Sequence, residues 1–163
     1  MSVALGSRYF PTMAVTFDEK AQALLDAANL PVVATVNADG SPHSSIVLMK
    51  RAEHVLYFPV HRNRRTERNI SRDPRVNISL YDLGDPYTSI EIRGLAEVLP
   101  EGGNDLAHEL IRRYMNERHD LDDPTRVAVR VIPQKVIHFP DPARTVPKRF
   151  RLDEFGRDAG APF

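Results

Sequence analysis

The densest group of residues with chemical potential lies at 61–76, which reads HRNRRTERNISRDPRV. Five arginines occur between Arg62 and Arg72, and a sixth, Arg75, follows Pro74. The guanidinium group is planar and forms paired hydrogen bonds to phosphate oxygens. RTERNISRD is typical of a helix that ends before Pro74, so the first arginines precede a helix N-terminus, where free backbone N–H groups favour an anion. The segment therefore predicts a socket for a phosphate group.

Two other interpretations of this segment are a nucleic-acid patch and a solvated helix surface. A nucleic-acid patch would need basic charge spread over a face with interleaved aromatic side chains. The chain of 163 residues contains 22 Lys and Arg against 22 Asp and Glu, so its net charge is zero. We therefore expect no nucleic-acid partner. A solvated helix surface would carry the same arginines, and it remains the alternative to the phosphate socket.

A second unusual stretch is PHSSIVLMK at 42–50, which places serines in an otherwise apolar strand. A tight turn after Lys50 would pair this strand with 54–60 and bring Ser45 close to Pro59, beside the arginine segment. Lys50 would then lie about 16 Å from Ser45 along the strand. A phosphate at one end and a ring system along the strand would fill that length. The distance suits an extended, flavin-like ligand.

Several other chemistries are disfavoured by the sequence. The chain has no cysteine, which excludes disulfides and thiolate nucleophiles. Its histidines show no metal-ligand spacing, so no metal site is predicted. No apolar run approaches the roughly 20 residues that span a bilayer, and the first residues lack the features of a signal peptide. We therefore expect a cytoplasmic protein that does not bind membranes.

The elements that would position these residues are mostly strands. Apolar periodicity predicts helices near 17–28, 65–73 and 104–118, and Thr16 with Glu19 forms a predicted capping box before the first of them. Alternating or β-branched runs predict strands, joined largely by tight turns, at 31–37, 42–50, 54–60, 75–82, 88–100, 127–133 and 135–139. The alternation predicts that the inward faces of 75–82 and 88–100 carry Val76, Ile78, Leu80, Ile90, Ile92, Ala96 and Val98. Such short antiparallel connections favour a mainly β (α+β) fold, a small barrel of six to seven antiparallel strands with helices packed outside.

Three regions are expected along the chain. Residues 1–15 form an N-terminal extension, 16–139 form the barrel domain, and 140–163 form an irregular arm interrupted by prolines. The arm contains KRFR at 148–151, a basic and aromatic stretch that could cover a bound anion. We expect the arm to be dispensable for folding and required for activity.

The order of these segments resembles a known family. VVATVNADGSPHSSIVLMK, YFPV, RRTERNISRDPRV and PYTSIEIRGLAEV are similar, in order and spacing, to the pyridoxamine 5′-phosphate oxidase-like, FMN-binding split-barrel superfamily. Within it the chain most resembles the actinobacterial type of oxidoreductase that uses the deazaflavin coenzyme F420. The resemblance covers about residues 16–139. It implies a split β-barrel homodimer with two equivalent sites at the subunit interface. Such a barrel is expected to leave apolar strand faces at 31–37 and 127–133 that one subunit cannot cover.

The resemblance also implies where a cofactor binds. Arg64, Arg65 and Thr66 match the phosphate-binding loop of the family, and the strand from Ser45 to Lys50 matches the one that lines the cofactor. Many relatives have lysine at Thr66, so nearby arginines must supply that charge. FMN-using oxidases often have arginine at Ser45, and its loss here leaves room for the deazaflavin. The predicted cofactor-binding residues are Ser45, Ile46, Val47, Leu48, Met49, Lys50, Tyr57, Phe58, His61, Arg62, Arg64, Arg65, Thr66, Arg68 and Asn69.

The predicted function is an oxidoreductase that transfers a hydride from reduced F420 to a small conjugated substrate. We expect no obligatory catalytic side chain, because the cofactor carries the chemistry in such enzymes. His43, Tyr57, Tyr81 and Tyr87 are candidates for shaping the substrate pocket. An FMN-dependent oxidase or reductase of the same fold is the alternative enzyme. A non-catalytic binder of flavin, F420 or another phosphate-bearing ligand is the alternative outside enzymes.

Overall fold

The fold was analysed in a computed structural model, which describes residues 15–116 and 122–139. This part of the chain contains seven strands and three helices, and the prediction of a mainly β fold is confirmed. The strands are β1 (Val32–Val36), β2 (Pro42–Ile46), β3 (Lys50–Ala52), β4 (Val55–His61), β5 (Arg75–Tyr81), β6 (Ser89–Leu99) and β7 (Arg126–Phe139). The helices are α1 (Glu19–Asp26), α2 (Arg65–Arg72) and α3 (Gly103–Met115).

All seven strands belong to one antiparallel sheet with the order β2-β1-β5-β6-β7-β4-β3. The two strands at its edges, β2 and β3, are neighbours in the sequence but lie at opposite ends of the sheet. Only residues 47–49 connect them. A curled sheet whose edges are joined in this way is the split barrel that the sequence predicts.

The continuous strand predicted at 42–50 is wrong. Pro42–Ile46 pairs with β1, where Ser45 faces Val33, and only Lys50–Ala52 pairs with β4. Pro31 has no N–H group, so the ladder between β1 and β2 ends with the bond from the Val47 amide to the Pro31 carbonyl, at 3.0 Å. The chain then crosses to the other edge of the sheet, and the predicted pairing of Ser45 with Pro59 does not form.

The two strands predicted at 127–133 and 135–139 are a single strand, β7, with an irregularity in the middle. Gly94 pairs with Pro133 and Arg93 with Lys135, which leaves Gln134 as the extra residue of a bulge. A Cβ atom on Gly94 would lie 2.7 Å from the carbonyl oxygen of Ile132. Glycine is therefore required for the two strands to approach each other here.

The main core lies inside the curled sheet and is closed by α1 and α2. The predicted inward face of β5 is confirmed, since Val76, Ile78 and Leu80 are buried. The inward positions of β6 are also as predicted: Ile90, Ile92 and Ala96 are buried. Among the described residues, the other fully buried large side chains are Phe58, Met49, Leu56, Leu110, Val33, Val127, Val129 and Val131.

Of the three helices, only α1 begins at a residue whose side chain caps it. Asp18, rather than the predicted Thr16, caps α1: its Oδ1 accepts a hydrogen bond of 2.8 Å from the amide of Ala21. Helix α3 packs against β4 and β7 through a second, smaller cluster that includes Leu106, Leu110 and Ala128. No helix in the described part of the chain is long and apolar enough to cross a membrane.

The predicted extension and arm fall mostly outside the described residues. The amide of Val15 donates to the carbonyl of Pro133 at 3.1 Å, so Val15 is hydrogen-bonded to β7 of the barrel. The arm at 140–163 lies outside the described residues.

Candidate functional site

The arginine segment forms the entrance to α2. Arg64 is the N-cap residue with an extended backbone (φ −75°, ψ 158°), and no side chain caps the helix. The first amides of α2 therefore point away from the helix without a side-chain acceptor. The side chains of Arg64, Arg65 and Arg68 are exposed and make no hydrogen bond or ion pair within residues 15–116 and 122–139. The prediction that arginines precede and open this helix is confirmed.

A cluster of three polar side chains lies at the same helix entrance. The hydroxyl of Thr66, which is buried, lies 3.2 Å from the hydroxyl of Ser45 and 3.4 Å from Nε2 of His43. Ser45 and His43 project from β2, two residues apart on one face of the strand. The serine strand thus lies beside the arginine segment, as expected, although it reaches this place from the edge of the sheet and not by pairing with β4. We call Arg64, Arg65, Thr66, Ser45 and His43 the cradle.

Other residues of the segment hold the loop and the helix in place. The guanidinium of Arg62 donates to the carbonyl of Pro100 at 3.4 Å, and its amide donates to the carbonyl of Thr125 at 2.7 Å. His61 contacts Thr125 at 3.1 Å and Asp123 at 3.2 Å. The contacts with Thr125 and Asp123 hold the loop before α2 against the turn that precedes β7, and the contact with Pro100 holds it against the residue that follows β6.

The far end of the segment is also engaged. Arg72 donates to the carbonyl of Val36, and Arg75 forms an ion pair with Asp73. The hydrogen bond from the Arg75 guanidinium lowers the pKa of Asp73 to about 2. Arg72 and Arg75 are therefore already partnered, and the cationic groups free to meet a ligand are concentrated at the start of α2.

A carboxylate in the turn between β1 and β2 lies near the cradle. The pKa of Asp39, in the turn between β1 and β2, is lowered mainly by the hydrogen bond from the Ser41 hydroxyl and also, to a smaller extent, by the charge of Arg65. Asp39 accepts hydrogen bonds from both the hydroxyl and the amide of Ser41. These bonds hold the carboxylate in the turn and leave Arg65 without a direct ion pair to it.

Besides Thr66, three predicted cofactor residues have buried side chains. Met49 and Phe58 lie in the main core, where they are 1% and 0% exposed. Asn69 donates from its amide to Thr35 and to Asn37, at 3.0 Å in both cases. Met49 and Phe58 could therefore contact a cofactor only through their backbone. The hydrogen bonds from the Asn69 side chain hold α2 against β1.

Lys50 and Tyr57 lie at a different place from the cradle. They face each other across β3 and β4 and line a groove of about 410 Å³ next to α3. The ammonium of Lys50 forms an ion pair with Glu109 of α3. Ile46 is 67% exposed on the edge strand, and Val47 and Leu48 are half-buried in the crossing segment. The predicted set is thus divided between the cradle, the crossing segment and this groove.

The sequence did not indicate the acidic residues of the groove, Glu101, Asp105 and Glu109. Asp105 and Glu109 have the spacing of the solvated face of an amphipathic helix, so their pattern gives no sign of a groove. Only the position of β3, which brings Lys50 against α3, shows that they line one. Tyr81 and Tyr87, predicted as pocket candidates, are 44% and 45% exposed. Neither lines the groove or contacts the cradle within the described residues.

Comparison with known proteins agrees with this architecture. The sequence profile of the family "Pyridoxamine 5′-phosphate oxidase" matches residues 17–139. A solved structure described as an F420 reductase is 28% identical, with a TM-score of 0.69, over 74% of this chain and 98% of its own. General stress protein 26 of Bacillus anthracis str. Sterne is 24% identical, with a TM-score of 0.60, over 74% of this chain and 92% of its own.

A conserved hypothetical protein of Mycobacterium tuberculosis is 20% identical, with a TM-score of 0.63, over 77% of this chain and 86% of its own. This protein and general stress protein 26, both under 25% identical, support the fold alone. Because the family profile spans the whole described body of the molecule, from α1 to the end of β7, the chain belongs to the pyridoxamine 5′-phosphate oxidase family and has its split-barrel fold.

Proposed function

We propose that the protein is an oxidoreductase that binds reduced coenzyme F420 and delivers its hydride to a small conjugated substrate. The observation that carries the proposal is the pair of exposed, unpaired arginines, Arg64 and Arg65, at the uncapped N-terminus of α2. The similarity to an F420 reductase over nearly that protein's whole length supports the choice of cofactor.

The residues of the cradle fit a phosphate-bearing cofactor. Two guanidinium groups and the free amides of the first turn supply hydrogen-bond donors to an anion. The hydroxyls of Ser45 and Thr66 add neutral donors on the side of β2. The cradle would hold the phosphate, and the rest of the cofactor would lie along β2 and the crossing segment, with the hydride chemistry supplied by its ring system.

FMN is the second candidate, since it carries a phosphate that the same residues could bind. The neutral side chain of Ser45, where FMN-using relatives often have arginine, favours F420. A non-catalytic carrier of either cofactor would use the cradle in the same way and differs in having no turnover.

We also propose a homodimer with the cofactor sites at the subunit interface. Ile46 of β2 is 67% exposed, and a groove of about 400 Å³ is lined by Ala34, Val36 and Pro42 of β1 and β2 together with residues of β5, β6 and β7. The strands that were expected to leave apolar faces open, 31–37 and 127–133, bury Val33 and Val127 within one chain. The interface would therefore use the side of β1 and β2 turned away from the core.

The decisive experiment is a visible absorption spectrum of the protein purified from a host that makes F420, followed by titration of the cofactor-free protein with F420 and with FMN. We expect a deazaflavin band and tighter binding of F420. A flavin band with tighter binding of FMN would support the second candidate. Binding without oxidation of reduced cofactor by any of a panel of conjugated acceptors would indicate a carrier.

A further inference from the structure

The loop at 61–64, which leads into α2, is held in one shape by its own backbone hydrogen bonds. Each of the three amides from 62 to 64 donates to a partner outside any helix or strand ladder. The bonds run from Arg62 to the carbonyl of Thr125 at 2.7 Å, from Asn63 to Oε2 of Glu67 at 2.9 Å, and from Arg64 to the carbonyl of His61 at 3.3 Å. The amides left for an anion therefore begin at Arg65, in the first turn of α2.

The turn before β7 also holds the side chain of His61. The hydroxyl of Thr125 donates to Oδ1 of Asp123 at 2.6 Å and lies 3.1 Å from Nδ1 of His61. Because its one hydrogen goes to the carboxylate, this hydroxyl can only accept from the imidazole. Oδ2 of Asp123, also an acceptor, lies 3.2 Å from the same nitrogen. Nδ1 of His61 must therefore carry a proton, which fixes the tautomer of the neutral ring.

Asp123 is itself held in place from α3. Its amide donates to Oδ1 of Asn104 at 3.1 Å, and the same oxygen accepts from the guanidinium of Arg126 at 3.0 Å. The pKa of Asp123 is lowered mainly by the hydrogen bond from the Thr125 hydroxyl, so the carboxylate remains an acceptor at neutral pH. Hydrogen bonds thus run without interruption from the first turn of α3, through the turn before β7, to the loop at 61–64.

We propose that Asp123 and Thr125 are positioning residues for the cradle: they hold the loop at 61–64 in the shape that sets the positions of Arg64 and Arg65 before an anion binds. The proposal rests on the proposed function only in taking that anion to be the cofactor phosphate. A loop without these bonds would have to be ordered on binding, and that loss of conformational freedom would weaken the complex. Neither residue belongs to the cradle, so each acts through the loop.

The first test reads the imidazole nitrogens of His61 by nitrogen-15 NMR in the cofactor-free protein. At about pH 8, where an imidazole is mostly neutral, we expect the proton on Nδ1. Asp123→Ala removes both carboxylate oxygens, so the ring should lose this preference. A role limited to general stability would leave the tautomer as it was. A wild-type ring with its proton on Nε2, or the same tautomer in Asp123→Ala, would overturn the proposal.

The second test measures the affinity of the cradle for inorganic sulfate, followed by the amide shifts of Arg65 and Thr66. Thr125→Val should bind sulfate about fivefold more weakly, because the hydrogen bonds of the hydroxyl are lost. Thr125→Ser keeps the hydroxyl and should restore the wild-type affinity. Thr88→Val is the matched control: its hydroxyl donates to Asp85 at 2.7 Å in the loop between β5 and β6, and its loss should leave sulfate binding unchanged.

Thermal melts establish that each variant is folded. Equal sulfate affinity in the wild-type protein and Thr125→Val, or an equal loss in Thr125→Ser and Thr125→Val, would refute the positioning role. In turnover assays Thr125→Val should raise KM for F420 and leave kcat at saturating F420 unchanged. If the sulfate and NMR results hold but F420 neither binds nor turns over, the positioning role stands and the assignment of the cofactor fails.

Discussion

The hydroxyl groups of Ser45 and Thr66 lie 3.2 Å apart and join the edge strand β2 to the first turn of α2, although 21 residues separate them in the sequence. His43 reaches the same threonine from the same face of the strand, at 3.4 Å. All three side chains are neutral or weakly basic, so a strong positive charge at this place comes from Arg64 and Arg65.

Charge reversal at the cradle should abolish most cofactor affinity. Each charge-assisted contact to a phosphate is worth roughly 1.5–3 kcal/mol, so Arg64→Glu and Arg65→Glu should each weaken F420 binding by well over tenfold. The stability of the cofactor-free protein should change by less than about 0.5 kcal/mol, because both side chains are exposed and unpaired.

The measurement is a cofactor titration and a thermal melt at two salt concentrations. Lys20→Glu, an exposed charge reversal on α1, serves as the control. Unchanged affinity in both cradle variants would show that the segment is an ordinary solvated helix surface. Salt-dependent loss of DNA or RNA binding across the segment would indicate a nucleic-acid site.

Removal of the Thr66 hydroxyl should loosen the contact between β2 and α2. Thr66→Val keeps the shape of the side chain but leaves Ser45 and His43 without this partner, which should cost about 1 kcal/mol in the free energy of unfolding. Urea denaturation of the cofactor-free protein measures this. Thr66→Ser retains the hydroxyl and should keep both the stability and the affinity for the cofactor, whereas a loss of stability in Thr66→Ser but not in Thr66→Val would show that the methyl group matters and the hydroxyl does not.

The buried amide of Asn69 should matter for stability more than any exposed residue of α2. Its nitrogen donates to Thr35 and Asn37, so Asn69→Ala leaves the buried hydroxyl of Thr35 without that donor and should destabilise the protein by about 1–3 kcal/mol. Arg68→Ala, on the exposed face of the same helix, should change stability by less than about 0.5 kcal/mol. Denaturation curves of the two variants give the comparison, and similar small effects would contradict an anchoring role.

The ion pair between Arg75 and Asp73 should contribute to acid sensitivity. The pKa of Asp73 is lowered from 3.8 to about 2 in the folded protein, so its contribution to stability is fully present above 3.8 and is lost as the pH falls toward 2. Arg75→Gln removes the principal cause of this shift. The variant should therefore lose less stability than the wild-type protein over that pH interval, and parallel pH profiles from denaturation at each pH would disprove the linkage.

Self-association should depend on the exposed side of the edge strand. Sedimentation of the wild-type protein should show a dimer even when dilute, since such interfaces are large and apolar. Ile46→Glu introduces a charge at a residue that is 67% exposed in one chain, so it should shift the protein toward the monomer without unfolding it. A stable, folded wild-type monomer would remove the interface from the proposed site.

The sequence predicts the fold better than the site because its signals are local. Alternating apolar residues identified β5 and β6 and their inward faces, and the helix entrance at Arg64 followed from the arginine segment and Pro74. The break at 47–49 could not be predicted, because IVLM has the composition of a continuing strand. The interruption becomes visible only when residues 42–46 are seen to pair with β1 and residues 50–52 with β4. The acidic groove was missed for the same reason, since its residues meet Lys50 only through tertiary packing.

The strand order also determines how the chain can fold. Three pairs of consecutive strands, β1–β2, β3–β4 and β5–β6, are joined by short connections. The ladders that join β1 to β5 and β4 to β7 connect distant parts of the chain, so the sheet forms only after long stretches of chain have been brought together. Such non-local topology slows folding relative to helical proteins of similar size, since the entropy of loop closure must be lost before the contacts form. The segment 47–49 links the first edge to the last, so its burial completes the barrel late. Replacing Met49 should therefore speed unfolding much more than it slows folding.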